Sequence, residues 1–308
     1  MINLFNINQY SIDTSSLGNL LHGSIVSEFE QRFAEYVGAK YACSANSASS
    51  LIYLATKSCD GLISIPSCIP PVVPNALEMA GARYMFHDDV DWVGKAYTLF
   101  EQGDRTIIDS AQEVTKDQFK NLGKPNAEMI FSFYPTKPVG GCDGGMVVSD
   151  NKDTIDLYKA LTLNGMSYSE NNWERKQIFS GHKMHFNSIS AYIANENLSK
   201  LDKKNDRLDE ISDMYDKAFC TTNDSRHLYR IRVRDNKGFI AKMKNEGILC
   251  GIHYEHCHGK SFYDPEIRYE LRKSTRESIS TVSLPYHENM TEQQVNKVIE
   301  NVKKMARA

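Results

Sequence analysis

Short apolar runs alternate with amphipathic stretches along the first half of this chain, and this alternation is what most constrains its fold. The apolar runs predict buried strands at Tyr41–Ser44, Leu62–Ile65, Arg83–Phe86, Thr106–Ile108, Met129–Phe133 and Gly145–Ser149. Helical spacing of apolar residues over Glu28–Val37, followed by Gly38, predicts a helix with a glycine stop. Repeated strands with helical crossovers indicate a layered α/β domain with a mainly parallel sheet.

The second half of the sequence predicts a smaller α+β domain. Apolar residues recur at helical spacing from Ser188 to about Phe219, which predicts one long helix that links the two parts. We therefore expect a large domain over residues 1–200 and a small C-terminal domain over 201–308. Thr291-Glu-Gln-Gln294 resembles a capping box, so the last helix should begin there.

Composition and charge exclude several classes of protein. The chain has 308 residues and a net charge of −3, which argues against a nucleic-acid partner. Its seven cysteines, an odd and scattered set, are typical of reduced thiols rather than of a disulfide framework. The N-terminus lacks a basic region followed by an apolar run, and no stretch reaches membrane-spanning length. These observations favour a cytoplasmic protein.

Lys137 lies in the segment with the most evident chemical potential, Phe131-Ser-Phe-Tyr-Pro-Thr-Lys-Pro-Val-Gly-Gly-Cys-Asp-Gly-Gly145. Small hydroxyl residues and four glycines surround the lysine, and such a segment can hold a phosphate while it presents an amine. An amine condenses with an aldehyde only when it is unprotonated, and burial lowers a lysine pKa. This is the pattern of a Schiff-base lysine for pyridoxal 5'-phosphate (PLP). The alternative is an ordinary solvated loop lysine.

Three other positions follow predicted strands, where ligands gather in open α/β sheets. Asn46-Ser-Ala-Ser-Ser50 joins a strand to a helix, so it could bind an anion or could simply cap the helix. Asp109 ends a buried strand; its carboxylate could keep a pyridinium nitrogen protonated or serve as a helix cap. Ser132 precedes Lys137 by five residues, near enough to share the same phosphate.

Taken together, these segments resemble the DegT/StrS-type sugar aminotransferases over nearly the whole chain. The segments that carry the resemblance are Gly23–Glu30, Ser47–Ser49, Ile108–Gln112, Phe131–Lys137, Gly251–Tyr254 with His258, and Leu284–His287. The resemblance implies a PLP enzyme of aspartate-aminotransferase fold (fold type I), with a three-layer α/β/α large domain.

Residue roles also follow from the resemblance. It implies that Lys137 forms the Schiff base, that Asp109 pairs with the pyridine nitrogen and that Gln112 contacts the cofactor. Ser132 and the turn Ser47-Ala48-Ser49 correspond to the phosphate cup.

The chain departs from the family pattern at three places. Ser47-Ala48-Ser49 stands where Ser-Gly-Thr is usual, and Ile69-Pro70 falls where an aromatic residue commonly stacks on the cofactor ring. Gly181-His-Lys-Met-His185 replaces a motif whose asparagine reaches the phosphate of the neighbouring subunit. Lys183 could replace that contact with a charge, which implies a homodimer with shared active sites.

Substrate-side positions are expected in the loop Gly251–His258 and next to the lysine. The resemblance places His253, Tyr254 and His258 on the substrate side, and Tyr134 could line the same pocket or belong to the core. Cysteines and histidines in this loop are residue types that bind zinc. Their spacing is not that of a zinc knuckle, so we expect no metal.

The expected activity is transfer of an amino group, from glutamate, to a keto group of a nucleotide-linked deoxysugar, in the synthesis of polysaccharide or antibiotic sugars. One alternative is a PLP-dependent sugar dehydratase or lyase, although the known variants of that kind have lost the lysine to histidine. Another alternative is a cofactor-poor, non-catalytic partner subunit.

Overall fold

The computed structural model describes residues 1–21, 23–168 and 175–306. Its eleven named strands are β1 (Tyr41–Ala45), β2 (Ile63–Pro66), β3 (Tyr84–His87), β4 (Tyr97–Gln102), β5 (Arg105–Asp109), β6 (Glu128–Ser132), β7 (Gly145–Ser149), β8 (Met166–Tyr168), β9 (Arg175–Gln177), β10 (Tyr229–Arg232) and β11 (Thr281–Leu284). Its helices of five or more residues are α1 (Ser24–Val37), α2 (Ala48–Thr56), α3 (Val72–Ala80), α4 (Gln118–Leu122), α5 (Lys152–Thr162), α6 (Ser188–Leu198), α7 (Leu201–Phe219), α8 (Asn236–Asn245), α9 (Arg272–Ser280) and α10 (Glu292–Ala306). None of these helices combines the length and the apolar character needed to cross a membrane.

The central sheet has the strand order β1-β7-β6-β5-β4. Strands β1, β6 and β5 run in one direction, whereas β7 and β4 run against their neighbours. Strands β2 and β3 form a separate parallel pair. Since β1, β5 and β6 end at the same edge of the sheet, the loops that follow them lie close together.

Helices cover both faces of the central sheet. One face buries Phe29 and Phe33 of α1 and Ala191 of α6 against β5, β6 and β7. Helices α2, α3 and α5 pack on the opposite face, where Ile107, Ile130 and Val147 point. Burial on both faces explains why the strand sequences are nearly continuous apolar runs.

The C-terminal region has a core of its own. Side chains from α7, α8, α10, β10 and β11 form one buried cluster, to which Ile2 contributes from the N-terminus. The predicted capping box is present: the Thr291 backbone N–H donates to Gln294 Oε1, 2.9 Å, and the Gln294 N–H donates to Thr291 Oγ1, 3.2 Å.

The prediction of one continuous helix over 188–219 is wrong. Two helices occupy this stretch, α6 and α7, and Ser199 and Lys200 separate them. Leu198 and Leu201, on either side of the break, both pack into the cluster beneath α1. The apolar periodicity continues across the break without a glycine or proline, so the pattern could not indicate it.

A β-hairpin that the apolar pattern did not predict forms one edge of the sheet. Strands β4 and β5 are joined by Gly103 and Asp104, and Gly103 adopts the left-handed backbone conformation (φ +57°) that such a tight turn requires. The register shifts between Thr98 and Phe100. As a result Tyr97 lies directly opposite Asp109, on the same face of the sheet.

Candidate active site

A small-residue platform lies at the edge of the sheet where β1 and β6 end. Ser132 pairs with Gly145, and Gly145 pairs with Ala45, so the three residues form one row across β6, β7 and β1. A Cβ atom added at Gly145 would lie 2.5 Å from the backbone nitrogen of Ala48. The start of α2 therefore rests directly on the bare backbone of Gly145.

The turn that enters α2 is built as a helix cap. Ser47 is the N-cap: its hydroxyl accepts from the Ser50 N–H, 3.1 Å, and lies 3.0 Å from the Ser50 hydroxyl. Ser50 Oγ also donates to Asn46 Oδ1, 2.7 Å. Helix capping and anion binding by this segment are compatible. A capped N-terminus of a nine-residue helix still directs backbone N–H groups and a partial positive charge outward.

Lys137 is held by a turn next to this platform. Its backbone N–H donates to the Tyr134 carbonyl, 2.9 Å, and the loop closes where the Gly141 N–H donates to the Phe133 carbonyl, 2.8 Å. Desolvation of the amine lowers the pKa of Lys137 to about 8, and the negative charge of Asp109 acts in the opposite direction. A lysine with a pKa near 8 is a far better nucleophile at neutral pH than a solvated one.

Asp109 is the last residue of β5 and its side chain is buried. Oδ1 accepts from the Ala111 N–H, 2.9 Å, and Oδ2 accepts from the Tyr97 hydroxyl, 2.9 Å. Burial raises the pKa of Asp109, while these two hydrogen bonds and the charge of Lys137 lower it. Lys137 and Asp109 therefore interact electrostatically within the fold.

Aromatic and imidazole side chains surround this charged pair. Desolvation and the charge of Lys137 lower the pKa of His253 to about 4, so its ring is neutral; Nδ1 lies 2.9 Å from the Ser283 hydroxyl. Burial and the nearby Asp109 raise the pKa of Tyr254. Two of the predicted substrate-side residues, His253 and Tyr254, therefore lie within electrostatic reach of the pair.

Three other predicted residues have different surroundings. The Gln112 side-chain oxygen accepts from the Gly94 N–H, 3.0 Å, so this group already has a partner. Tyr134 is half exposed to solvent. The His258 ring contacts Ser67 (Nδ1 to Oγ, 2.6 Å) and packs beside His256.

Lys183 is exposed, yet its backbone lies close to the start of α2. The residue forms a β-bridge with Leu163, and the carbonyl of the next residue, Met184, accepts from the Asn46 N–H, 2.7 Å. This backbone contact with the Asn46–Ser50 turn is made within one chain.

Sequence reasoning missed three residues beside the pair. Trp92 packs edge-on against Tyr97, with ring centroids 4.7 Å apart, and parallel to Tyr254 at 6.4 Å. His227 is buried, and desolvation together with Lys137 lowers its pKa well below the usual value. The Gly103-Asp104 dipeptide between alternating strands was the available signal for the hairpin that brings Tyr97 to Asp109.

The donor set matches what a pyridoxal phosphate group requires. The site offers a desolvated amine at Lys137, a buried carboxylate at Asp109, and a helix N-terminus seated on Gly145 for a phosphate. Among the residues that the structure describes, no three His, Cys, Asp or Glu side chains are grouped so that they could hold a metal ion.

The model of the DegT/DnrJ/EryC1/StrS aminotransferase family matches residues 6–62 and 103–303 of this chain. A Campylobacter jejuni protein, the UDP-4-amino-4,6-dideoxy-N-acetyl-beta-L-altrosamine transaminase of serotype O:2, is 27% identical over 345 residues, with 92% of each chain covered.

Solved structures confirm the predicted α/β fold class. The aminotransferase TlmJ from Streptoalloteichus hindustanus superposes with a TM-score of 0.82 at 19% identity, covering 100% of this chain and 99% of its own. Helicobacter pylori PseC, an aminotransferase involved in the biosynthesis of pseudoaminic acid, gives a TM-score of 0.81 at 19% identity and 98% coverage of both chains.

Proposed function

Since the chain belongs to the DegT/DnrJ/EryC1/StrS aminotransferase family, we propose that it transfers an amino group from glutamate to a keto group of a nucleotide-linked deoxysugar. That the chain is an aminotransferase follows from its family. The amino donor and the acceptor are the proposed part. The observation that supports amino-group chemistry at this site is the desolvated amine of Lys137 beside the buried carboxylate of Asp109.

The aminotransferases of this family depend on PLP, and we propose that this chain binds it in the site described above. Ser47, Ala48, Ser49 and Ser132 would hold the phosphate, with Gly145 keeping the start of α2 in place. Asp109 would face the ring nitrogen, and Lys137 the aldehyde. When bound, PLP supplies an electron sink for the bonding electrons of a carbon–hydrogen bond beside nitrogen.

The roles of the chain's own residues follow from their surroundings. The Lys137 amine, with a pKa near 8, can accept a proton from the donor carbon at neutral pH and release it again at the acceptor side. Asp109, held by two hydrogen bonds, keeps a negative charge beside the ring nitrogen. His253 stays neutral and so adds no positive charge that would compete for Asp109.

A nucleotide-linked sugar suits the space next to the lysine loop. A cavity of about 1060 Å³ borders Pro135, Pro138 and Gly141 and extends to Tyr10 and to the basic side chains of α7. Its size is that of sites for large organic ligands. The C. jejuni relative is named as a transaminase of a UDP-linked amino sugar, which supports the same substrate class for this chain.

Glutamate alone should convert the PLP-loaded protein to its pyridoxamine phosphate form. The experiment mixes the loaded protein with glutamate, follows the absorbance of the cofactor and assays 2-oxoglutarate. We expect one 2-oxoglutarate per loaded site when no acceptor is present. If the cofactor absorbance does not change with glutamate but does with another amino acid, the proposed donor is wrong; if no amino acid changes it, the proposed reaction is wrong.

Location and assembly are further parts of the proposal. All seven cysteines are free, which fits the reducing cytoplasm.

We propose a homodimer in which Lys183, exposed beside the Asn46–Ser50 turn, reaches the phosphate of the neighbouring subunit.

Lys183→Ala is expected to weaken PLP affinity about tenfold at low salt, because an ammonium facing a phosphate dianion is a strong partner. The gap from the wild type should narrow as salt screens the interaction. Titration with PLP at two salt concentrations, together with sedimentation, measures both points. Lys57→Ala, which removes another exposed lysine, is the control. Unchanged PLP affinity at low salt, or a fully active monomer, would show that Lys183 is a solvated residue that does not contact the phosphate.

A further inference from the structure

We propose that Tyr97 is a positioning residue for the cofactor site, which orients the Asp109 carboxylate and keeps it ionised toward the ring nitrogen of PLP. The inference rests on the proposed cofactor. It concerns a residue outside the matched part of the chain, because residues 63–102 lie between the two segments that the family model matches.

The Tyr97 hydroxyl is one of two donors that hold the Asp109 carboxylate. It donates to Oδ2, 2.9 Å, while the Ala111 N–H donates to Oδ1, 2.9 Å, so each carboxylate oxygen has one fixed donor. A carboxylate oxygen accepts two hydrogen bonds, so each retains capacity for a further donor. Two fixed donors define the plane of the carboxylate and therefore the direction of the remaining lone pairs.

Tyr97 is itself held in place from two sides. The register shift at Leu99 puts it opposite Asp109 across the β4–β5 pair, and the ring of Trp92 packs edge-on against it at 4.7 Å. Trp92 also stacks parallel to Tyr254. Packing against Trp92 therefore fixes the Tyr97 ring, and with it the position of the hydroxyl that donates to the carboxylate.

Electrostatics gives this hydrogen bond a function. Among the residues that the structure describes, Lys137, Tyr254 and Tyr97 are the titratable groups that interact with Asp109, and Lys137 is the cation of this set. Burial acts against the ionised carboxylate, and a donor hydroxyl acts for it. Burial and the carboxylate raise the pKa of Tyr97 well above its usual value, so the phenol remains a donor throughout the neutral range.

Tyr97→Phe tests the inference by removing only the donor. The pKa of Asp109 should rise further, so at a given pH less of it is ionised, and PLP should bind about tenfold more weakly near neutral pH. The deficit should grow as pH falls and shrink as pH rises. PLP titrations of the full-length protein from pH 6 to pH 9 measure the affinity directly, without reference to turnover.

Tyr158→Phe is the matched control. Tyr158 is buried and donates to the buried carboxylate of Glu128, at the opposite end of the sheet. Its replacement should lower thermal stability much as Tyr97→Phe does, yet leave PLP affinity unchanged at every pH. In an Asp109→Asn background, where no carboxylate remains to be ionised, adding Tyr97→Phe should change affinity less than twofold.

The outcomes separate this inference from the proposed function. If the wild type binds no PLP, the proposed cofactor is wrong. If the wild type binds PLP and Tyr97→Phe binds it equally well at every pH, Tyr97 has no positioning role. A loss that is the same at all pH values, or that persists undiminished in the Asp109→Asn background, would also overturn the inference, because it would reflect packing alone.

Discussion

Lys137→Ala is expected to lower the transamination rate by at least about 10³-fold while the protein stays folded. The amine is the group that would condense with the cofactor and carry the proton, and general acid–base catalysis alone is worth about 10² to 10⁴ in rate. The turn is closed by backbone hydrogen bonds of Lys137 and Gly141, which the alanine variant keeps. Thermal unfolding and steady-state assays measure both points.

Two comparison variants make the Lys137 test specific. Lys137→Arg retains a positive charge but offers no condensable amine, so it should be as inactive as the alanine variant. Lys152→Ala removes an exposed lysine of α5 that pairs with Asp156 and should behave as the wild type. Turnover above a few per cent in Lys137→Ala, with an intact fold, would contradict the assigned role.

Asp109→Asn is expected to slow turnover by about 10² to 10³ and to leave the fold at least as stable as the wild type. An amide cannot hold the ring nitrogen in its protonated state, and removing one such electrostatic partner typically costs this much in rate. Burial raises the folded-state pKa of Asp109 above its unfolded value. The stability that this shift contributes is present at low pH and lost as pH rises, so at pH 7 the ionised side chain destabilises the fold.

The stability prediction separates a catalytic loss from a folding defect. An unchanged or slightly higher midpoint of thermal unfolding at pH 7, combined with slow turnover, is the expected pair of results. Asp150→Asn, at the far end of β7, removes a carboxylate that pairs with Lys40 and should leave turnover unchanged. Turnover of Asp109→Asn within threefold of the wild type would show that another group holds the ring nitrogen.

Polar residues at the ends of strands could be predicted from the sequence for two reasons: the apolar run stops there, and such positions collect at one edge of the sheet. Asp109 and Ser132 each terminate an apolar run, and the carboxyl ends of strands that run in the same direction meet at one edge. Lys137 stands out through its glycine-rich surroundings. In the structure Lys137 interacts electrostatically with Asp109.

Contacts that depend on side-chain packing could not be predicted. The register shift at Leu99 decides that Tyr97, rather than Thr98, faces Asp109, and a single extra residue leaves no trace in the apolar pattern. The hydrogen bond from the Gly94 N–H to the Gln112 side-chain oxygen is another such contact, and the contact of Gln112 with the cofactor stays a prediction. Trp92 comes from a stretch whose sequence signals neither a strand nor a helix.

The residues that meet at the two ends of the site are separated by very different lengths of chain. The entropy cost of bringing them together on folding therefore differs. Tyr97 and Asp109 are 12 residues apart and meet through a two-residue turn. Ala45 and Gly145, which bring the start of α2 to its platform, belong to strands separated by roughly 100 residues of chain, and loop closure over that length costs about 2 kcal/mol more than over roughly 10 residues. The carboxylate proposed to face the ring is therefore set by local sequence, whereas the end proposed to hold the phosphate forms only once the whole sheet has formed.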